Sequence, residues 1–191
     1  EDKIQAGEID QDYLYWAGDA TIYNNQMQML WGAVDNTDEN NLMRRFGTCL
    51  VTYSLEGRPG DDTYMKLISR NDDFNDHTLG YGDTMWEDED GHTYLYTTSN
   101  YKVAVARTAT HDLSSQWEYY VADPQGNFSW TTEYPSTQDA EYSTIIPLES
   151  GCSMPWVFKK GDTYYMIGQS IWFGRDVLMF RSKHPYGPFV D

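Results

Sequence analysis

One two-strand segment is written three times along this chain, and no other feature restricts its fold as much. The first copy runs Gly18-Asp19-Ala20-Thr21-Ile22-Tyr23, turns at Asn24-Asn25 and returns through Gln26-Met27-Gln28-Met29-Leu30-Trp31. The second runs Gly82-Asp83-Thr84-Met85-Trp86-Glu87, turns over 88–91 and returns through His92-Thr93-Tyr94-Leu95-Tyr96. The third runs Ser153-Met154-Pro155-Trp156-Val157-Phe158, turns over 159–162 and returns through Thr163-Tyr164-Tyr165-Met166-Ile167. Each reads as two strands joined by a tight hairpin. A second strand pair follows each hairpin: 46–53 with 63–69, 101–108 with 116–120, and 177–182 with 187–189. Asp19 to Asp83 is 64 residues and Asp83 to Met154 is 71, a period suited to a four-stranded blade with generous loops.

The pattern predicts an all-β chain: a β-propeller with about three four-stranded blades, over residues 17–69, 82–121 and 153–191. Residues 1–16 read as the tail of a preceding blade, and 134–150, with Pro135 and Pro147, as loop. A β-sandwich would explain the strands but not the repeated order of hairpins. Three blades do not close a ring, so the missing ones come from the rest of a longer chain or from a second chain.

With 30 acidic against 13 basic side chains the formal charge is −17, which repels a phosphate backbone and an anionic membrane surface. Nucleic acid is excluded as a partner on this ground. No 18-residue apolar stretch or basic-then-apolar leader is present, so membrane insertion is not expected and the chain reads as a mature form. Cys49 and Cys152 have neither a CxxC nor a zinc spacing and read as free, buried thiols. The sequon Asn127-Phe128-Ser129 marks a surface loop.

In an up-and-down blade the long connections 32–44, 70–81 and 122–152 share one face, and the innermost strands start from that face. Gly18-Asp19, Gly82-Asp83 and Ser153-Met154 therefore ring a central funnel. Asp19 and Asp83, at equivalent positions of neighbouring blades, form the kind of carboxylate pair that acid/base work on a glycosidic bond requires. The competing reading is that both cap backbone amides where the inner strands begin. Trp16, Trp86, Trp156 and Trp172 lie near the inner strands and upper loops, where aromatic faces stack on sugar rings or fill the core between blades. His77, Arg45, Gln169 and Arg175 border the same face as candidate hydroxyl-binding groups. No metal site or cofactor is expected. A structural calcium ion stays open for the acidic loops 35–41 and 71–76, while Asp88-Glu89-Asp90-Gly91 reads as a turn.

The stretches Tyr15-Trp16-Ala17-Gly18-Asp19-Ala20-Thr21, Gly91-His92-Thr93-Tyr94-Leu95-Tyr96, Val105-Ala106-Arg107 through Trp117-Glu118-Tyr119-Tyr120, and 155–165 carry a resemblance. They are similar to the five-bladed β-propeller glycoside hydrolases of family 43 and to their bacterial relatives in the domain-of-unknown-function family 5005. In family 43 a general-base Asp, a second Asp that tunes the acid, and a general-acid Glu begin the inner strands of successive blades. The resemblance places Asp19 and Asp83 at Asp positions of that pattern and puts the acid at Ser153 or Met154, neither of which is a carboxylic acid. Glu149 is the nearest substitute. The resemblance thus implies a secreted, periplasmic or cell-surface protein with an oligosaccharide or polysaccharide as partner. Whether it hydrolyses the glycan or only binds it stays open, since proton donation to the leaving oxygen contributes about 10²–10⁴-fold in rate. An interaction scaffold, the third alternative, predicts apolar rather than acidic and aromatic upper loops.

Overall fold

The computed structural model describes residues 13–35, 37, 44–75 and 79–191. Among the described residues, antiparallel strands form three sheets in sequence order. The first sheet holds β1 (Tyr13–Tyr23), β2 (Gln26–Asp35), β3 (Arg44–Leu55) and β4 (Tyr64–Asn75). The second holds β5 (Thr84–Glu87), β6 (Thr93–Ser99), β7 (Lys102–Thr108), β8 (Trp117–Ala122) and β9 (Phe128–Thr131). A short helix, α1 (Thr137–Tyr142), precedes the third sheet of β10 (Ser153–Lys160), β11 (Thr163–Gln169) and β12 (Val177–Ser182). These are three consecutive blades of a β-propeller, with β5 lying against β1 on one side and β10 on the other.

Local chemistry sets the hairpins. Asn24 and Asn25 both take positive φ (49° and 59°), the two-residue turn whose twist matches the strands it joins. Gly18 permits the inner strands to approach: a Cβ there would stand 2.7 Å from the Gly82 carbonyl oxygen and 2.9 Å from that of Leu30.

The middle blade is buried on both faces, and the period-2 alternation of its strands feeds two cores. Leu95, Ala104 and Ala106 face the first blade, packing with Leu30, Leu50, Leu79 and Met85. Tyr94, Tyr96, Val103 and Val105 face the third, packing with Val157, Met166 and Phe180. The Tyr96 hydroxyl donates to the Pro185 carbonyl at 2.6 Å, and the Tyr164 hydroxyl to Asp88 at 2.7 Å, so the buried phenols are satisfied across the blade boundary.

The strands depart from the expected boundaries in several places. β1 begins at Tyr13, so residues 13–16 open the first blade rather than end an earlier one; residues 1–12 lie outside the described residues. β4 continues to Asn75 through Asn71, Asp72 and Asp73, which read as loop but suit an outermost strand open to solvent. The expected connection 122–152 contains β9, and the expected loop 134–150 contains α1. The Asp123 carboxylate accepts from the Gln125 and Asn127 amides and turns the chain back into β9, where Asn127 and Ser129 stand exposed. Ser136 caps α1 by accepting from the Asp139 amide at 3.1 Å, a start signal hidden behind Pro135. In the third blade the expected fourth strand at 187–189 is reduced to a single bridge between Arg181 and Val190. Pro188 has no N–H to give a ladder, and the Phe189 amide donates to Ile145 instead. Among the described residues no helix is long and apolar enough to cross a membrane.

Leu95 is fully buried whereas Leu67 on β4 is 52 % exposed. Leu95→Ala should therefore lower unfolding free energy by about 2–5 kcal/mol, and Leu67→Ala by no more than about 0.5 kcal/mol. Denaturant titration of the two variants checks this, and equal losses would contradict the two-core packing.

Candidate functional site

The first residues of the inner strands converge on one open cavity of about 890 Å³. Asp19 and Asp83 both line it, but their surroundings make them different groups. At Asp19 the β1–β2 register shifts between Ala17 and Ala20, a bulge that turns the backbone where the strand meets the cavity. Its amide donates to the Gly82 carbonyl at 3.0 Å. Its carboxylate accepts from the Ala20 amide at 2.8 Å and, across the blade boundary, from the Met85 amide at 2.9 Å. The capping role therefore holds for Asp19, although the side chain still reaches the cavity wall.

Asp83 instead pairs with a side chain of the first blade. Its carboxylate accepts from Arg45 Nη1 at 2.6 Å, and 43 % of its side-chain surface is open. Protein walls nevertheless desolvate the group and push its pKa above the ordinary carboxylate value, against the charge and hydrogen bond of Arg45. Arg45 comes from β3 and is the more enclosed partner, with 19 % of its side chain exposed. Among the described residues its Nε is buried without a hydrogen-bond partner.

The third blade contributes a second bulge, between Ser153 and Trp156, with Met154 at φ 51°. Met154 and Trp156 are each 69 % exposed at the cavity. Trp172, from the β11–β12 loop, meets Trp16 of β1 edge-on at 6.3 Å, and Phe173 stacks on it at 5.0 Å. Trp16, Trp156 and Trp172 thus line one cavity with Asp19, Asp83 and Arg45.

Other candidates lie elsewhere. Trp86 donates its indole N–H to Asp88 and stands edge-on to Tyr164, within the core between the second and third blades. Gln169 is half-buried opposite Ser153 on β11, and Arg175 is exposed on the β11–β12 loop; neither lines the cavity. Glu149 is exposed on a loop pinned by Lys102 Nζ, which donates to the carbonyls of Leu148 and Ser150, and it too is absent from the lining. His77 lies outside the described residues, as do Asp76 and most of 35–41. Among the described residues no cluster of His, Cys, Asp or Glu has the geometry of a metal site. In the 88–91 turn, Asp88 accepts from Trp86 and Tyr164, and Asp90 from Tyr94 and the His92 amide. Cys49 and Cys152 are free and buried, as expected. Burial, with Asp72 as a hydrogen-bond partner, raises the Cys49 thiol to about 12, and burial raises Cys152 to about 11. Neither is an activated nucleophile.

Thr84, Thr98, Asn100 and Tyr101 also line the cavity and were not anticipated. Asn100 and Tyr101 form the positive-φ turn between β6 and β7, which opens on the face shared by the long connections. The signal was the dipeptide Ser99-Asn100 between two alternating runs.

No match was found among curated proteins. A crystal structure of a candidate hydrolase from Bacteroides ovatus is 92 % identical with a TM-score of 0.94 over the whole of this chain, which spans 47 % of that protein. The GH43 BlXynB protein from Bacillus licheniformis matches 95 % of the chain, which spans 30 % of it, at 17 % identity and a TM-score of 0.49. The GH43B protein of the Bacteroides ovatus xyloglucan PUL matches 92 % of the chain, which spans 28 % of it, at 18 % identity and a TM-score of 0.47. These two similarities are too weak to carry a functional argument. The family described as Domain of unknown function (DUF5005) matches residues 2–191, and the chain belongs to it.

Proposed function

We propose that the cavity is the recognition site for an oligosaccharide or polysaccharide. One observation carries this reading: exposed Trp16, Trp156 and Trp172 line the same cavity as the Asp83–Arg45 ion pair. Sugar rings present apolar C–H faces and polar edges, and indoles beside a charged pair answer both.

Cleavage asks for more than binding. Glycoside hydrolysis uses one carboxyl as acid and a second as base or nucleophile. Asp19 is engaged by two amides and Asp83 by a guanidinium, while the third inner strand offers Ser153 and Met154. The hydrolase designation of the 92 % identical protein keeps catalysis as a second reading, in which a proton donor comes from beyond these three blades. On either reading the protein works where polysaccharide is found: secreted, periplasmic or at the cell surface. Further blades, from a longer chain or a second one, then cover the outer face of the third sheet, where Val177 and Met179 stand exposed.

A glycan screen of the full-length protein tests the site. Trp156→Ala and Trp172→Ala should each weaken binding about 2- to 10-fold, and Asp83→Asn on the order of tenfold or more. Failure to bind any glycan, or binding that ignores all three changes, would refute the assignment. A reducing-sugar assay addresses the second reading. Any turnover should survive Glu149→Gln unchanged, because that carboxylate lies off the cavity; its loss would make Glu149 the donor.

A further inference from the structure

Arg45 is held by an arrangement that the glycan reading does not by itself require. Its guanidinium lies in a slot between Gly32 of β2 and Gly80, just before β5. A Cβ on Gly32 would come within 2.5 Å of Nη2, and one on Gly80 within 1.6 Å of Nη1. Neither glycine has a left-handed φ, so turn geometry does not explain them. The space their missing side chains leave is filled by the guanidinium. Among the described residues Nε has no acceptor, while Nη1 reaches Asp83 at 2.6 Å. The slot thus directs Nη1 at a carboxylate on the cavity.

We infer that Arg45 is a positioning residue for Asp83: seated between Gly32 and Gly80, it aims the Asp83 carboxylate into the cavity and supplies the counter-charge that lets it accept a ligand hydroxyl. The consequence for binding rests on the glycan reading; the positioning itself does not. A charge-assisted pair with one fixed partner restricts the rotamer of the other and lowers the reorganisation needed on binding. Among the described residues, the titratable side chains sharing the cavity with Asp83 and Arg45 are Asp19 and Tyr101. Asp19 is a second carboxyl group and Tyr101 a phenol, so among the described lining residues the one cation opposing burial of Asp83 is Arg45. Without it the carboxyl retains its proton to higher pH, and the ionised acceptor is lost first on the acid side.

Three variants of the full-length protein test this. Arg45→Met removes the charge, Arg45→Lys keeps it without the planar fork, and Gly80→Ala keeps every charge but fills the slot. Carbodiimide coupling of glycine ethyl ester, mapped by peptide mass spectrometry across pH, reads the state of Asp83 directly. Arg45→Met and Gly80→Ala should raise Asp83 labelling several-fold, Arg45→Lys by less, and Asp19 labelling should stay at the wild-type value in all three. The acid limb of glycan binding should move to higher pH in Arg45→Met and Gly80→Ala. Unchanged Asp83 labelling in both would overturn the inference even if the protein binds glycan. Changed labelling in a protein that binds no glycan would uphold the positioning role while removing the glycan reading. If Arg45→Met does not fold, Gly80→Ala decides, because the overlap it introduces falls on the far end of a flexible side chain.

Discussion

The carboxylate of Asp19 ties two sheets together at the point where the cavity begins. It accepts the Met85 amide from the next blade, while its own amide donates to Gly82. Inner strands of neighbouring blades have no shared ladder, and their end groups would face one another unpaired without such a bridge. The contact is possible because Gly18 carries no Cβ and the two backbones close to within 3.0 Å between Asp19 N and Gly82 O. Where β5 starts, and hence where Asp83 stands one residue earlier, follows from this bridge. The aromatic wall is set separately, by the β11–β12 loop closing through Ser170 and Asp176 at 3.0 Å and carrying Trp172 across to Trp16.

Burial on both faces makes the middle blade the rigid support of the site. Tyr94 and Leu95 are adjacent in sequence, both fully buried, and belong to different cores. A one-residue slip of β6 would exchange the two sets and part the Tyr94 and Tyr96 hydroxyls from Asp90 and Pro185. The Tyr96 bond to Pro185 and the Tyr164 bond to Asp88 add polar constraints to the same register. By contrast, the outer strand β4 exposes Met65, Leu67 and Ile68, and the third sheet exposes Val177 and Met179. The cavity is therefore held from its second-blade side, with the first and third blades docked against that support.

The repeat was legible because a blade hairpin needs alternation, a tight turn and a glycine or small residue at its start, and each need leaves a mark on the sequence. Asn24-Asn25 and Asp88 to Gly91 are such marks. Strand ends were less legible because solvent-facing edges tolerate any polar residue: Asn71, Asp72 and Asp73 look like loop whether or not they pair. Helix α1 was concealed by its brevity. Trp16, Trp156 and Trp172 could be placed from strand order alone, whereas Trp86 could not be told from them, since the same alternation that sends Trp156 to solvent sends Trp86 into the core. Arg45 was only a bordering residue in sequence, because its role depends on Gly32 and Gly80, which lie 13 and 35 residues away along the chain.

The two aspartates show where motif equivalence stops being chemical equivalence. Both follow a glycine at the start of an inner strand, yet one faces backbone amides and the other a guanidinium. A carboxylate has about four acceptor positions on its two oxygens, so the two amides leave Asp19 with capacity to bind a sugar hydroxyl. Asp83 is desolvated and depends on one cation, which makes its charge the adjustable one. The raised pKa of Asp83 is in the direction a general acid needs, but its carboxylate is engaged by the Arg45 guanidinium, and Asp19 is engaged by two amides. These residues support the proposed glycan recognition, while the third inner strand, which begins with Ser153 and Met154, does not supply the second carboxyl that hydrolysis uses.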